Sequence, residues 1–163
     1  PFPYYGLITL LYSNNPISLS NNRYEQFQAG IKRHPFQMKN KLAFDKKTKK
    51  IKGLTTDIDV DGGGRANFSG PVTMVGLSAM QSIYYIPRND LVGSVYPSSM
   101  PIAGSMRGFG TLQTMASMEM MMNEAASDLK VDPIELRKIN VFKAGDKNTQ
   151  GAIPNGEYRY LEM

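Results

Sequence analysis

The clearest hydrophobic pattern in the chain lies in its last third and predicts a long amphipathic helix that begins after Thr111, the expected N-cap. From Leu112 onward, apolar residues recur every three or four positions, at Met115, Met118, Met122, Ala125, Ala126 and Leu129. Because this spacing places them on one helical face, we expect these side chains to lie in the core. The methionines are interpreted as packing residues and not as ligands for a soft metal.

A shorter helix is predicted directly afterwards. Asp132 and Glu135 have the spacing of a capping box, and Pro133 suits the first helical turn. Gly145 is expected to close this part of the chain. The expected apolar contacts of the helix come from Ile134, Leu136 and Ile139.

Alternating polar and apolar residues predict strands in the middle of the chain, at 36–44 and 51–60. Ile58 and Val60 alternate with aspartates on either side, so one face of this strand should be polar and the other buried. Gly62, Gly63 and Gly64 are expected to end it.

Several shorter elements complete the expected organisation. Residues 4–12 are apolar and fit either a helix or a strand. Further strands are expected at 17–19 and 91–96, and helices at 23–30, with Asn22 as N-cap, and at 72–82. The mixture predicts an α+β fold, with mixed strands packed by helices, in one domain over 1–163.

Composition limits the possible classes of protein. The chain has 163 residues, 41% hydrophobic and 20% charged, and no apolar run approaches the roughly 20 residues that span a bilayer. The absence of cysteine excludes thiolate-held zinc or iron–sulfur clusters within it. Since the sequence begins at Pro1, without an initiator methionine or a signal-like segment, we expect a fragment of a larger protein.

The net charge of +5 raises the possibility of nucleic-acid binding. Much of the excess lies around one predicted hairpin turn, at Lys39, Lys41, Lys46, Lys47, Lys49, Lys50 and Lys52. Aromatic residues that could stack on bases are not interleaved with these lysines. We therefore interpret the cluster as a solvated hairpin tip and expect no nucleic-acid partner.

The sequence contains no complete motif for binding calcium, a dinucleotide or a nucleotide phosphate. Asp57, Asp59 and Asp61 imitate the start of a calcium loop, but Phe68 occupies the position of the required glutamate. Neither glycine-rich segment completes a dinucleotide or phosphate-loop motif. His34 is the only histidine and is expected to be structural, without a catalytic role.

The segment from Arg107 to Gln113 is the strongest candidate for a site. Phe109 stands between two glycines immediately before the long helix, and glycine permits positive φ and close approach of a ligand. The free N–H groups of the helix would point back towards this loop, where they suit an anion or oxo group.

Four sets of residues, in this order, resemble the molybdenum-binding subunit of the xanthine dehydrogenase and aldehyde oxidase family. They are Asn22 to Phe27 with Arg33 to Phe36; Tyr84 to Pro87; Met106 to Gly110 with Gln113; and Asp132 to Asn140 with Phe142 to Asp146. Leu112 departs from the proline that many relatives carry before the glutamine.

The resemblance implies a role for six residues. As cofactor-binding residues it implies Arg107, Gly108, Gly110 and Gln113, and as substrate-contacting residues Phe109 and Val75. For Gln113 a hydrogen bond within the loop is favoured over one to the cofactor, and for Phe109 the alternative is a packing residue beneath the turn. Val75 occupies the position of an arginine in purine-hydroxylating relatives, so aldehydes or uncharged N-heterocycles are expected as substrates. No direct metal ligand is implied.

The resemblance also implies the reaction and its other components. The expected activity is oxidative hydroxylation with water as the oxygen source, on a molybdenum–pterin cofactor, with iron–sulfur clusters and FAD on other domains or subunits. The catalytic glutamate of relatives lies in a later segment, so this fragment should be inactive alone. A cytoplasmic location is expected, with the periplasm as the alternative. The other functional hypothesis is a non-catalytic binding or scaffolding module that retains the fold.

Overall fold

The computed structural model describes residues 2–154, in a chain that divides into two compact units, residues 1–30 and 31–163. The first unit contains α1 (Phe2–Leu10) and α2 (Arg23–Ala29). The apolar segment at 4–12 is thus largely helical. No helix among the described residues is long and apolar enough to cross a membrane.

The predicted N-cap of α2 is confirmed. The Asn22 side chain accepts a hydrogen bond from the Glu25 N–H at 2.9 Å, and the Glu25 carboxylate accepts one from the Asn22 N–H at 2.8 Å. The prediction of a strand at 17–19 is wrong, because these residues have no regular secondary structure. Three residues form a strand only when a neighbouring strand pairs with them, and local sequence does not supply that partner.

The second unit is built on a three-stranded mixed sheet in the order β1 (Phe36–Phe44), β2 (Ile51–Gly63) and β3 (Asn89–Pro97). Strands β1 and β2 form an antiparallel hairpin, whereas β3 runs parallel to β2. The parallel connection passes through α3 (Ser69–Ala79). The predicted α+β fold is confirmed.

The alternating pattern of β2 is confirmed by its burial. Ile51, Leu54, Ile58 and Val60 are buried, and the aspartate side of the strand is exposed or half-buried. The strand continues to Gly63, three residues beyond the predicted limit at residue 60, and ends within the run of glycines expected to end it.

Two helices follow β3 in the chain, α4 (Thr111–Asp128), which packs against α3, and α5 (Pro133–Asn140), which packs against α4. Met118, Met122 and Ala126 of α4 are buried in the core, as predicted. Met115 is 39% exposed, so its assignment to the core is wrong. At about 100° per residue, Met115 lies on the same side of α4 as the buried residues Met122 and Ala126, so its exposure reflects its place near the N-terminal end of the helix, where the packing leaves it partly uncovered.

Helix α5 begins at the predicted residue, but fewer of its apolar side chains are buried in the core than the three that were predicted. Asp132 caps it, accepting hydrogen bonds from the N–H groups of Ile134 and Glu135 at 2.8 and 3.1 Å. Leu136 is fully buried, whereas Ile134 is 63% exposed, which corrects its assignment. Two residues along a helix correspond to about 200°, so Ile134 lies on the opposite side from Leu136. Gly145 lies in a later turn, with φ of 89°.

Candidate functional site

The loop before α4 has an unusual backbone. Gly108, Phe109 and Gly110 have φ values of 99°, 48° and 92°, so three consecutive residues are left-handed. Positive φ is common for glycine but rare for an aromatic residue. The turn is closed by hydrogen bonds from the Phe109 N–H to the Met106 carbonyl, 2.8 Å, and from the Thr111 N–H to the Gly108 carbonyl, 2.9 Å. The aromatic ring is therefore presented by a strained, hydrogen-bonded turn.

Glycine is needed at position 110 for two reasons: its positive φ, and the close approach of the loop backbone to α3. A Cβ atom at this position would collide with the Val72 carbonyl and lie 3.3 Å from the backbone of Gly76. Both of those residues are buried in α3. The loop is thus pressed directly against the backbone of α3, which fixes its position relative to that helix.

The predicted N-cap of α4 is wrong by one residue. Gly110 occupies the cap position without a side-chain bond, and Thr111 is the first residue of the helix. The Thr111 hydroxyl instead donates to the Gly108 carbonyl at 2.6 Å. The left-handed backbone explains the shift, because a helix N-cap with a side-chain bond normally has an extended conformation.

A distant segment holds both ends of the loop. The Arg33 Nη2 atom donates to the Arg107 carbonyl at 2.7 Å, and the Gln113 Nε2 atom donates to the His34 carbonyl at 3.0 Å. These partners are 74 and 79 residues apart in sequence. Sequence analysis gave no role to Arg33, and the only signal for it was its place in the family-like segment at 33–36.

His34 also ties the segment to α3. Its ring is 2% exposed, and Nε2 lies 2.8 Å from the Ser69 hydroxyl, at the start of that helix. Burial lowers the pKa of the imidazole, and the nearby charge of Asp61 partly opposes that effect. A buried neutral ring bonded to a helix terminus is typical of a structural histidine.

Polar groups around the loop lack partners within the described part of the chain. Arg33 Nη1 and Gln113 Oε1 are buried and accept or donate no hydrogen bond among residues 2–154. Arg107 is exposed, and its guanidinium has no partner in the same range. Buried polar groups are normally satisfied, so a ligand, water or another segment of protein is expected to meet Arg33 Nη1 and Gln113 Oε1, whereas the exposed Arg107 guanidinium is accessible to solvent and to a ligand.

The structure brings the predicted site residues to one end of α4. Phe109 is half-buried in the turn, and Gln113 lies in the first turn of the helix. Val75 is on α3, beside the glycine that packs on Gly110, and its side chain is 39% exposed. The loop therefore lies at the start of α4 and against the part of α3 that carries Val75.

Comparison with known proteins identifies the family. Residues 5–141 match the family of the molybdopterin cofactor-binding domain. The chain belongs to this family. Its predicted resemblance to molybdenum hydroxylases is confirmed, and so is the predicted link to a molybdenum–pterin cofactor.

The chain has similar relatives in bacteria. It is 30% identical over 147 residues to the aldehyde oxidoreductase of Megalodesulfovibrio gigas, with 90% of this chain and 16% of that protein covered. It is 27% identical to a putative xanthine dehydrogenase molybdenum-binding subunit of Escherichia coli K12, with 90% and 19% covered. The solved aldehyde oxidoreductase of Desulfovibrio gigas superimposes with a TM-score of 0.80 at 29% identity, covering 86% of this chain and 15% of that one. The chain therefore spans less than a fifth of the length of these relatives.

Proposed function

We propose that this chain forms one wall of the cofactor and substrate site of a molybdenum hydroxylase. The observation that carries the proposal is the loop at 107–110, where the exposed Arg107 guanidinium, a helix N-terminus and an aromatic ring lie together in a member of the molybdopterin cofactor-binding family. The reaction would be oxidative hydroxylation of an aldehyde or N-heterocycle, with water as the oxygen source.

The residues present suit an anionic pterin cofactor. The exposed Arg107 offers a charged donor whose guanidinium has no partner among residues 2–154. Charge-assisted hydrogen bonds from guanidinium to anionic oxygens are among the strongest in proteins. Gly108 and Gly110 permit the left-handed turn of the loop, and the amide oxygen of Gln113, which has no hydrogen-bond partner among residues 2–154, is left to accept a hydrogen bond. When bound, the cofactor would supply the redox chemistry of the hydroxylation.

Phe109 would contact the substrate. Its ring is half-buried and held by the left-handed turn, so it can orient a planar substrate by stacking or by an edge contact. Such aromatic contacts contribute about 0.5 to 1.5 kcal/mol beyond burial. The proposal assigns no catalytic residue to this chain; the general base, iron–sulfur clusters and flavin are assigned to other segments or subunits.

The proposed substrates are aldehydes or uncharged N-heterocycles. Val75 is apolar and partly exposed on the helix next to the loop, where purine-hydroxylating relatives are expected to carry arginine. Without that cation, negative charge developing on a purine ring would be less stabilised. We expect at least about tenfold lower kcat/KM for xanthine than for the preferred substrate, or about 1.4 kcal/mol.

Molybdenum content tests the cofactor-binding role. In the full-length protein, Arg107→Ala should lower the molybdenum bound per subunit, measured by mass spectrometry after gel filtration. Arg65→Ala is the matched control, because Arg65 is also an exposed arginine but lies outside the loop. If both variants retain the same molybdenum and the same activity as the parent protein, Arg107 does not contribute to the site and the proposal fails.

Steady-state kinetics test the substrate class. Rates for xanthine, benzaldehyde and quinoline would be compared on the same molybdenum-loaded preparation. Xanthine emerging as the best of the three would refute the argument from Val75. A Val75→Arg variant should shift the preference towards xanthine if that position faces the substrate.

A further inference from the structure

Arg33 projects from a segment whose backbone is fixed on both sides. The Lys32 N–H donates to the Ile102 carbonyl at 3.0 Å, and the Lys32 carbonyl accepts from the Gly104 N–H at 2.9 Å. Two residues after Arg33, the Pro35 carbonyl accepts from the Asp61 N–H at 3.1 Å. The base of the Arg33 side chain is thus tied to the sheet and to the segment that leads into the loop.

The other end of the side chain holds the loop itself. Arg33 Nη2 donates to the Arg107 carbonyl at 2.7 Å, a short charge-assisted hydrogen bond. This carbonyl immediately precedes Gly108, the first of the three left-handed residues. A left-handed aromatic residue such as Phe109 is costly and persists only where the surroundings enforce it.

We propose that Arg33 is a positioning residue, whose hydrogen bond to the Arg107 carbonyl holds the left-handed turn and so directs the Arg107 and Phe109 side chains into the site. The inference rests on the function proposed above. Arg33 acts through the loop backbone and is not assigned to the chemistry.

The geometry favours arginine at this position. Its planar guanidinium carries several donors in a fixed arrangement, and Nη1 lies 3.7 Å from where a Cβ atom on Gly108 would be. The same group therefore borders the backbone of the turn while Nη2 bonds its carbonyl. Lysine could donate one hydrogen bond but could not reproduce this planar contact.

Hydrogen exchange tests the positioning role directly. Arg33→Ala and Arg33→Lys would be made in the full-length protein, with Arg65→Ala as control. The informative amides are those of Phe109 and Thr111, which are protected by hydrogen bonds within the turn. Loss of a charged hydrogen bond should raise their exchange rates by about tenfold or more in Arg33→Ala, with a smaller rise in Arg33→Lys.

Two further readouts separate positioning from a general loss of stability. In Arg33→Ala, peptides covering β2 should exchange as in the parent protein. In steady-state kinetics, kcat/KM should fall mainly through kcat. Unchanged exchange of the turn, an equal rise across β2, or a loosened turn without a change in kinetics would each overturn the proposal. Exchange can be followed without the cofactor, so a negative result here is distinct from unaltered molybdenum content in Arg107→Ala, which concerns the proposed function.

Discussion

Replacing Gly110 with alanine tests how strongly the loop is fixed against α3. Gly110 has φ of 92°, and an added Cβ would meet the Val72 carbonyl and the backbone of Gly76. The left-handed conformation costs alanine about 1 to 2 kcal/mol, and insertion of a methyl group into a packed contact costs about 1 to 3 kcal/mol more. We expect a total loss of about 2 to 5 kcal/mol, because backbone atoms cannot move aside as a flexible side chain can.

Gly145→Ala is a matched control. Gly145 has a similar φ of 89°, but nothing lies within 4 Å of its added Cβ. This substitution should therefore cost only the conformational term, about 1 to 2 kcal/mol. The difference between the two variants measures the collision with α3 separately from backbone strain.

Urea denaturation of the 163-residue chain, followed by circular dichroism at 222 nm, would compare the free energies of unfolding. Such losses are measurable against the roughly 5 to 15 kcal/mol stability of a typical domain. If Gly110→Ala lost no more stability than Gly145→Ala, the loop would not be pressed on α3 and the account of its geometry would be wrong.

Three further predictions concern the site, the isolated chain and the core. Phe109→Ala in the full-length enzyme should lower kcat/KM without emptying the metal site, because substrate alignment is lost; unchanged kinetics for every accepted substrate would make the ring a packing residue only. The purified 163-residue chain should retain no stoichiometric molybdenum after gel filtration, since one wall leaves an anionic cofactor hydrated; metal analysis checks this. Asn140→Ala should cost about 2 kcal/mol in urea denaturation, because buried Asn140 accepts from the Ile51 N–H at 2.7 Å and donates to the Lys49 carbonyl at 2.9 Å. A loss below about 0.5 kcal/mol would show that water replaces these bonds.

Features set by short stretches of sequence were predictable. The alternation of Ile58 and Val60 with aspartates specified a half-buried strand, because successive side chains on a strand point to opposite faces. Asn22 and Asp132 marked helix starts through bonds to N–H groups two or three residues away. Ordered motifs over most of the chain were enough to indicate the family.

Other features depended on how the elements pack. Met115 has the periodicity of a core residue and shares the side of α4 that carries Met122 and Ala126, but the packing near the N-terminal end of the helix leaves it 39% exposed. Thr111 is a good N-cap by residue type, yet the left-handed turn moved the cap to Gly110. Periodicity constrains which residues share a face, and only the neighbouring elements decide which face is buried.

The sequence by itself determined the α+β elements, the family and the loop at 107–113 as the candidate site. Tertiary structure alone decided that Arg33 holds the Arg107 carbonyl and that the His34 carbonyl receives Gln113, across 74 and 79 residues. The physical reason is that a hydrogen bond depends on distance and direction in space, and the parallel placement of β3 and the packing of α3 on α4 bring these segments together. No local pattern encodes that arrangement, since each residue type is compatible with many partners until the chain has folded.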